Sequence, residues 1–284
     1  MEADANAVGR ITPSGGCISL FYLPQPASAP YGITAGPDGN LWFTEFSANM
    51  IGRITPGGII KQYPIPTSLS GPRGITSGPD GAVWFTEYAK VKIARIGVDG
   101  SITEYAYPHA GAHPEEIVAG PDGNLWFSQG GPAAGIARIT PAGDISQFPV
   151  AGAATDPTGP SDVVTAGPDN NLWLTEPGAN AVVRVAASGS PATPFVLPTA
   201  MSAPQGIVAG PDGNLWFAEN TGNRIGKITP AGAVSEFPIS RSHGDPSLVT
   251  LGPDHALWFT EPGVNAIGRV TTAGAMSEYL LPSA

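Results

Sequence analysis

The chain is short of the residues that most small-molecule chemistry uses. It has one cysteine, Cys17, and four histidines in 284 residues. A single thiol excludes an internal disulfide and any cysteine-built metal site. Charged residues make up only 13% of the chain, and 13 basic ones face 23 acidic ones, a net charge of −10. Such a field repels phosphate backbones and favours cations or basic partners, so nucleic acid is not an expected partner. No apolar run reaches about 18 residues, which excludes a helical membrane span. The opening Met1-Glu2-Ala3-Asp4-Ala5-Asn6 has no basic segment followed by an apolar one. A signal peptide is therefore not expected, and a soluble protein is. Phosphate-binding Walker loops, the nucleophile elbow and the His-Glu-x-x-His metal motif are also missing.

Glycine and proline are abundant: 38 and 31 residues, nearly a quarter of the chain. Without a pattern that composition would indicate disorder. Here it recurs at a fixed interval. Gly36-Pro37-Asp38-Gly39-Asn40-Leu41-Trp42-Phe43-Thr44-Glu45 returns from Gly78, Gly120, Gly167, Gly210 and Gly252. The tryptophans stand at 42, 84, 126, 173, 216 and 258, spaced by 42, 42, 47, 43 and 42 residues. A second stretch, Ile51-Gly52-Arg53-Ile54-Thr55-Pro56, follows each copy and also occurs alone as Val8-Gly9-Arg10-Ile11-Thr12-Pro13.

Each unit reads as four short strands: A, Gly32 to Ala35; B, Leu41 to Glu45; C, Ile51 to Thr55; and D, Ile60 to Pro64. In the A–B turn proline fixes φ, aspartate caps locally and glycine takes the positive-φ place. Strand B is rich in β-forming residues that alternate in character. Four strands in roughly 40 to 45 residues is the blade length of a β-propeller. The expected fold is all-β, a single propeller domain. Blades are expected near 25–66, 67–108, 109–151, 152–198, 199–240 and 241–284, and residues 1–24 form a half blade that begins after a missing strand B. The half blade either occupies a seventh position or lies outside six closed blades; the seven-bladed form keeps its apolar face covered and is the expected one.

Antiparallel pairing places the residue after the strand-A proline near the residue that ends strand B, at the central mouth. The first set is Tyr31, Arg73, Glu115, Ser161, Gln205 and Ser247, which varies as a ligand-facing rim would. The second is Glu45, Glu87, Gln129, Glu176, Glu219 and Glu261, with Glu2 as a further carboxylate. Gathered carboxylates raise one another's pKa or recruit Mg²⁺ or Ca²⁺. As repeated residues they read first as structural caps that accept hydrogen bonds from their own B–C loops. Of the histidines, His113 is the best placed for acid–base work, beside Glu115. His109 and His243 fall in D–A connections, and His255 falls in an A–B turn on the opposite face.

The motif Pro-x-Gly-Ile-x-x-Gly-Pro-Asp-Gly-x-Leu-Trp-Phe-Thr-Glu, then Asn-x-Ile-Gly-Arg-Ile-Thr and Glu-Tyr-x-Leu-Pro, resembles the streptogramin B lyase (virginiamycin B lyase) family over nearly the whole chain. The resemblance implies a seven-bladed fold. It also implies a bacterial antibiotic-resistance activity, the magnesium-dependent elimination that linearises a cyclic depsipeptide at its ester bond. In the family pattern a histidine after the strand-A proline is the base, and carboxylates, one ending a strand B, hold the metal. This chain departs from that pattern. None of the six post-proline positions is histidine, and among the residues two places earlier only Asp245 is a carboxylate, in the blade of Glu261. Blade three has the inverted order His113-Pro114-Glu115.

The expected function is therefore a lyase-like propeller that binds a small molecule or peptide at its mouth without catalysis. The alternatives are a metal-dependent carbon–oxygen lyase acting on streptogramin B antibiotics, or a lactonase-like hydrolase. A third is a repeat scaffold or fragment that self-associates through its incomplete blade, since open strand edges and apolar faces invite pairing.

Overall fold

The computed structural model describes residues 6–12, 18–109, 111–131, 135–150, 163–189 and 191–281. The chain divides into two compact units. The first is Met1–Thr12 with Cys17–Pro149, and the second is Pro13–Gly16 with Val150–Ala284.

The first unit carries a two-stranded hairpin, Ala7–Ile11 with Ile18–Tyr22, and three four-stranded antiparallel blades. Blade I is Pro30–Ala35, Leu41–Glu45, Met50–Ile54 and Ile60–Pro64. Blade II is Pro72–Ser77, Val83–Glu87, Lys92–Ile96 and Ile102–Ala106, and blade III is His113–Ala119, Leu125–Gly130, Gly135–Ile139 and Ile145–Pro149. The second unit carries three more. Blade IV is Val164–Ala166, Asn171–Glu176, Ala181–Ala186 and Ala192–Val196, and blade V is Pro204–Ala209, Leu215–Glu219, Arg224–Ile228 and Val234–Pro238. Blade VI is Val249–Leu251, Leu257–Glu261, Ala266–Val270 and Met276–Leu280. Strand order within each blade is A-B-C-D.

The described residues thus form six four-stranded propeller blades, which corrects the seven-bladed expectation. The N-terminal hairpin pairs only with itself, in register from Ala7↔Tyr22 to Ile11↔Ile18. It supplies neither the inner strand A nor the tryptophan-bearing strand B. It packs instead on blade I, where Val8 and Leu23 bury against Phe43 and Ile54. Its apolar face is covered without a seventh blade.

Why these repeats make blades is visible in the turn. Asp38 Oδ1 accepts the Asn40 backbone N–H at 3.2 Å and the Trp42 Nε1–H at 3.0 Å. Gly39 takes φ 73°, a region open to glycine at no steric cost. The same Asp-to-Trp bond, at 3.0 Å, closes the turn in every other blade, from Asp80, Asp122, Asp169, Asp212 and Asp254. It satisfies the one polar atom of an indole that is otherwise core. Trp42, Trp84, Trp126, Trp173 and Trp216 are fully buried. Each indole also stacks on the strand-D aromatic of its blade, as Trp42 does on Tyr63 at 5.5 Å.

Those indoles bind one blade to the next. Trp42 lies in a core cluster with Val83, Phe85 and Ile96 of blade II, and Trp216 in one with Leu257 and Phe259 of blade VI. Polar pins accompany them. Asn49, in the B–C loop at φ 58°, donates to the Ile65 and Thr67 carbonyls at 3.2 and 3.0 Å and accepts from Ser70 N at 2.7 Å. Asn180 repeats this on Leu197, Thr199 and Ser202. Asparagine tolerates the left-handed backbone there and has both a donor and an acceptor to spend. No helix among the described residues is long and apolar enough to cross a membrane.

The clamp is testable. Asp212→Ala leaves the buried Trp216 Nε1–H without its acceptor, an expected loss of about 1–3 kcal/mol. Urea unfolding followed by tryptophan fluorescence should show a lower midpoint. An unchanged midpoint would mean that the turn does not depend on this bond.

Candidate functional site

The strand-B residues do not line an opening. Glu45, Glu87, Gln129, Glu219 and Glu261 are completely buried, and Glu176 is nearly so. The register sets Pro30 opposite Glu45, Pro72 opposite Glu87, Pro114 opposite Gln129 and Pro204 opposite Glu219. The glutamates of blades I, II, V and VI turn toward strand D of their own blade. Glu45 accepts both bonds from Gln62 Nε2, at 3.0 and 2.8 Å. Gln129 accepts from the Tyr107 hydroxyl, whose own pKa burial pushes up to about 12.

In three blades the strand-D neighbour is a second glutamate. Glu104 lies beside Glu87, Glu236 beside Glu219 and Glu278 beside Glu261. The outer member is engaged. Glu104 accepts from Lys92 Nζ at 2.8 Å and Thr67 Oγ1 at 2.7 Å, which hold its pKa down despite burial. Glu236 accepts from Thr199 N and Oγ1 at 3.0 and 2.6 Å, and Glu278 pairs with Arg241 Nε at 2.6 Å. The inner carboxyls lack well-formed hydrogen bonds. Burial, then the charge of the outer glutamate, pushes Glu87 up to about 8 and Glu219 and Glu261 up to about 7. Lys92, Arg224 and Arg241 oppose the rise only partly.

A hard divalent cation takes about six oxygen ligands. Each inner carboxyl meets one further carboxylate, and that one is already held by Lys92 and Thr67, by Thr199 or by Arg241. Asp245 and Glu261 flank one tight connection. A Cβ on Gly263 would stand 2.6 Å from Asp245 Oδ2, and one on Gly244 would stand 2.8 Å from Glu261 Oε2. Among the described residues no group of three or more His, Cys, Asp or Glu is placed to hold a metal. These donors do not fit a magnesium or calcium cage.

Chemistry-bearing residues converge instead on strand A of blades II and III. Arg73 Nη1 donates to Glu115 Oε2 at 3.0 Å, and the guanidinium lies 3.7 Å over the Tyr88 ring. Tyr31 and Phe46 flank it at 5.6 and 5.8 Å. His113 stacks on Tyr88 with centroids 4.7 Å apart, and its Nδ1 is 3.4 Å from the Tyr88 carbonyl oxygen. Gly130 makes room: a Cβ there would be 3.0 Å from Glu115 Oε1. Glu116 follows at the position where blades I, II and V have Gly32, Gly74 and Gly206. There is a reason for glycine at those places. A Cβ would meet the next blade's strand-A backbone at 2.7 Å from Gly32, and at 2.5 Å from Gly74. Blade III has a glutamate there, and in the sequence blades IV and VI have Asp162 and Leu248 at the same place. Burial, then the charge of Glu115, pushes Glu116 up to about 7 against the pull of Arg73.

Of the rim residues, Tyr31, Arg73 and Glu115 are brought together with His113. Gln205 and Ser247 belong to the second unit, where the Ser247 carbonyl accepts from Gly206 N at 2.9 Å. Ser161 and Glu2 lie outside the described residues. His109 packs on Tyr107, while His243 and His255 are exposed at positive φ. Sequence reasoning passed over Tyr88 and Glu116. The second had a signal, a charged residue at a glycine position of the repeat.

The Virginiamycin B lyase family model matches residues 1–163 and 156–284. A solved streptogramin B lyase superposes with a TM-score of 0.86 at 35% identity, covering 100% of this chain and 90% of that one. A catalytically inactive histidine-to-alanine variant of the Staphylococcus aureus virginiamycin B lyase, solved with quinupristin, gives a TM-score of 0.83 at 40% identity. That match covers 91% of this chain and 86% of the other. The curated virginiamycin B lyase of Saccharopolyspora erythraea is 60% identical over 35 residues, a stretch spanning 12% of each chain.

The glutamate pairs give a pH prediction. Each inner carboxyl keeps its proton in the fold above the pH, near 4.5, at which the unfolded chain releases it. Their contribution is full in acid and is lost as pH rises through about 7 to 8. Thermal midpoints should therefore fall between those limits, by an amount on the order of 1–3 kcal/mol per carboxyl. Glu87→Gln should flatten the slope, and a midpoint that climbs with pH over the same window would contradict the assignment.

Proposed function

The chain belongs to the virginiamycin B lyase family, and from that premise we propose that it opens cyclic depsipeptides of the streptogramin B class at their ester bond. The observation that carries this reading is the departure of blade III from its repeat. Structural positions recur from blade to blade, whereas chemistry needs an asymmetric place. His113 and Glu115 stand at one strand-A end, facing Arg73 and Tyr88 of blade II.

The reaction is an elimination. A proton leaves the carbon next to a carbonyl, the neighbouring carbon–oxygen bond breaks, and the ester carboxylate departs with the electron pair. The side chains suit these demands. Tyr31 and Phe46 offer aromatic surface to the apolar side of a cyclic peptide. Arg73 supplies a fixed positive charge for the enolate or the departing carboxylate, and the Tyr88 ring and Glu115 hold it in place before substrate arrives.

A second reading has an observation in its favour. No post-proline residue is a histidine, at Tyr31, Arg73, Glu115, Gln205 or Ser247, and a site without that base would bind the same ligand and not convert it. One experiment separates the cases. The protein is incubated with a streptogramin B such as quinupristin in magnesium-containing buffer and followed by liquid chromatography and mass spectrometry. Elimination predicts a linear product of unchanged mass with new double-bond absorbance. A product heavier by one water would assign a hydrolase. Saturable binding without product would assign the binding module.

A further inference from the structure

We propose that the N-terminal hairpin and blade I form a docking site for a polypeptide segment that carries Trp-Phe after an aspartate turn and adds antiparallel to the free edge of the Ala7–Ile11 strand. The inference does not depend on the lyase reading. It starts from how blades meet. A strand-B tryptophan shares a core cluster with two apolar residues of the following blade, one on strand A and one on strand B. Trp42 meets Ile75 and Val83, Trp84 meets Ile117 and Leu125, Trp173 meets Ile207 and Leu215, and Trp216 meets Val249 and Leu257. Under that cover Val83, Leu125, Leu215 and Leu257 are fully buried. The corresponding pair in blade I is Ile33 and Leu41. The hairpin before it brings no tryptophan, and the two stay 41% and 42% exposed.

In other respects the hairpin sits on blade I as one blade sits on the next. Phe21 lies over Gly58 as Tyr63 lies over Gly100 and Phe195 over Gly232. Asn6 donates to the Gln25 carbonyl and accepts from Ser28 N, the pin that Asn49 makes in blade I. Arg10 Nη1 donates to the Pro56 carbonyl at 3.3 Å, as Arg184 does to Pro230 at 3.0 Å. The blade-to-blade interface thus continues up to the place of strand B and stops there. Within a blade, strand C is flanked by B and D, whereas among the described residues Ala7–Ile11 pairs with Ile18–Tyr22 alone. Gly9 stands where blades I, V and VI have Gly52, Gly226 and Gly268. Those three are buried beneath the strand-B rings of Phe43, Phe217 and Phe259, and Gly9 is exposed.

These features specify the occupant. In the blade I register Phe43 pairs with Gly52 and Trp42 with Arg53. An incoming strand in that register sets phenylalanine over Gly9 and tryptophan opposite Arg10, with the indole against Ile33 and Leu41. An aspartate four residues before the tryptophan then meets the Arg10 guanidinium, as Asp38 meets Arg53 at 3.2 Å. Edge N–H and C=O groups supply backbone bonds, and the three side-chain seats select the sequence. A second copy of this chain offers no such strand from its described residues, because each tryptophan is already inside its own blade.

The probe is a labelled synthetic peptide copying residues 204–220, an A–B hairpin with Asp212, Trp216 and Phe217, titrated onto the whole chain by fluorescence anisotropy. Saturable binding is expected, and Trp216→Ala in the peptide should weaken it about 10- to 30-fold. Gly9→Val, which fills the phenylalanine seat, and Leu41→Gln should each weaken it about tenfold, with thermal midpoints near that of the wild type. The peptide variant leaves the protein unchanged and stays decisive if either protein variant unfolds. Absence of saturation, equal binding of the Trp216→Ala peptide, or undiminished binding to both folded variants would overturn the site. A peptide-free dimer in light scattering that Gly9→Val dissolves would give the edge to a second copy and overturn the choice of occupant.

Discussion

One hydrogen bond, from the indole N–H of each blade's tryptophan to the aspartate of its A–B turn, organises the rest of the molecule. An indole is large enough to fill the space between neighbouring blades, but its nitrogen costs free energy if buried without an acceptor. The Gly-Pro-Asp turn supplies that acceptor at 3.0 Å in all six described blades. The second aspartate oxygen then holds a cation from strand C, as in Arg53 at 3.2 Å, Arg95 at 2.6 Å and Arg269 at 2.7 Å. Ring and carboxylate thus fix the turn, the strand-B register and the interblade core together. Once strand B is fixed, so is the end of strand A opposite it.

That rigidity makes departures from the repeat informative. The inner glutamates of strand B look like an acidic ring when written in sequence, yet Glu45, Glu87, Glu219 and Glu261 are folded inside their blades against strand D. There a glutamine meets Glu45 by hydrogen bonding, and a second glutamate pushes the other three toward keeping a proton. The cation-binding character that a ring of carboxylates would have is spent within the blade. Around blade III the pattern differs in kind. A guanidinium, an imidazole, two phenol rings and a carboxylate meet at the ends of adjacent strands, and the next residue, Glu116, stands where blades I, II and V have glycine.

Much of the fold was legible because the physical rules repeat with the sequence. Turn chemistry gave strands B and D to the residue; strand A begins two residues earlier than read, at Pro30, and strand C one earlier, at Met50. The blade number was misread, because a C–D pair in sequence does not show whether an A–B pair completes it. Val8 and Leu23 bury against blade I and need no further strands. The site was legible in part. Tyr31, Arg73, Glu115 and His113 followed from antiparallel register, and the structure gathers them. Tyr88 did not, because its role comes from a ring lying over a guanidinium of its own blade, a contact that no spacing rule reports. Glu116 was readable in principle as a carboxylate in a glycine column. Its shifted proton affinity comes from burial, which the sequence does not display.

The most direct test of the account is where the ligand sits. A crystal structure of the chain with bound streptogramin B should show the depsipeptide against Arg73, beside His113 and Glu115. Density for the ligand at the connection between Asp245 and Glu261 instead, with blade III untouched, would contradict it.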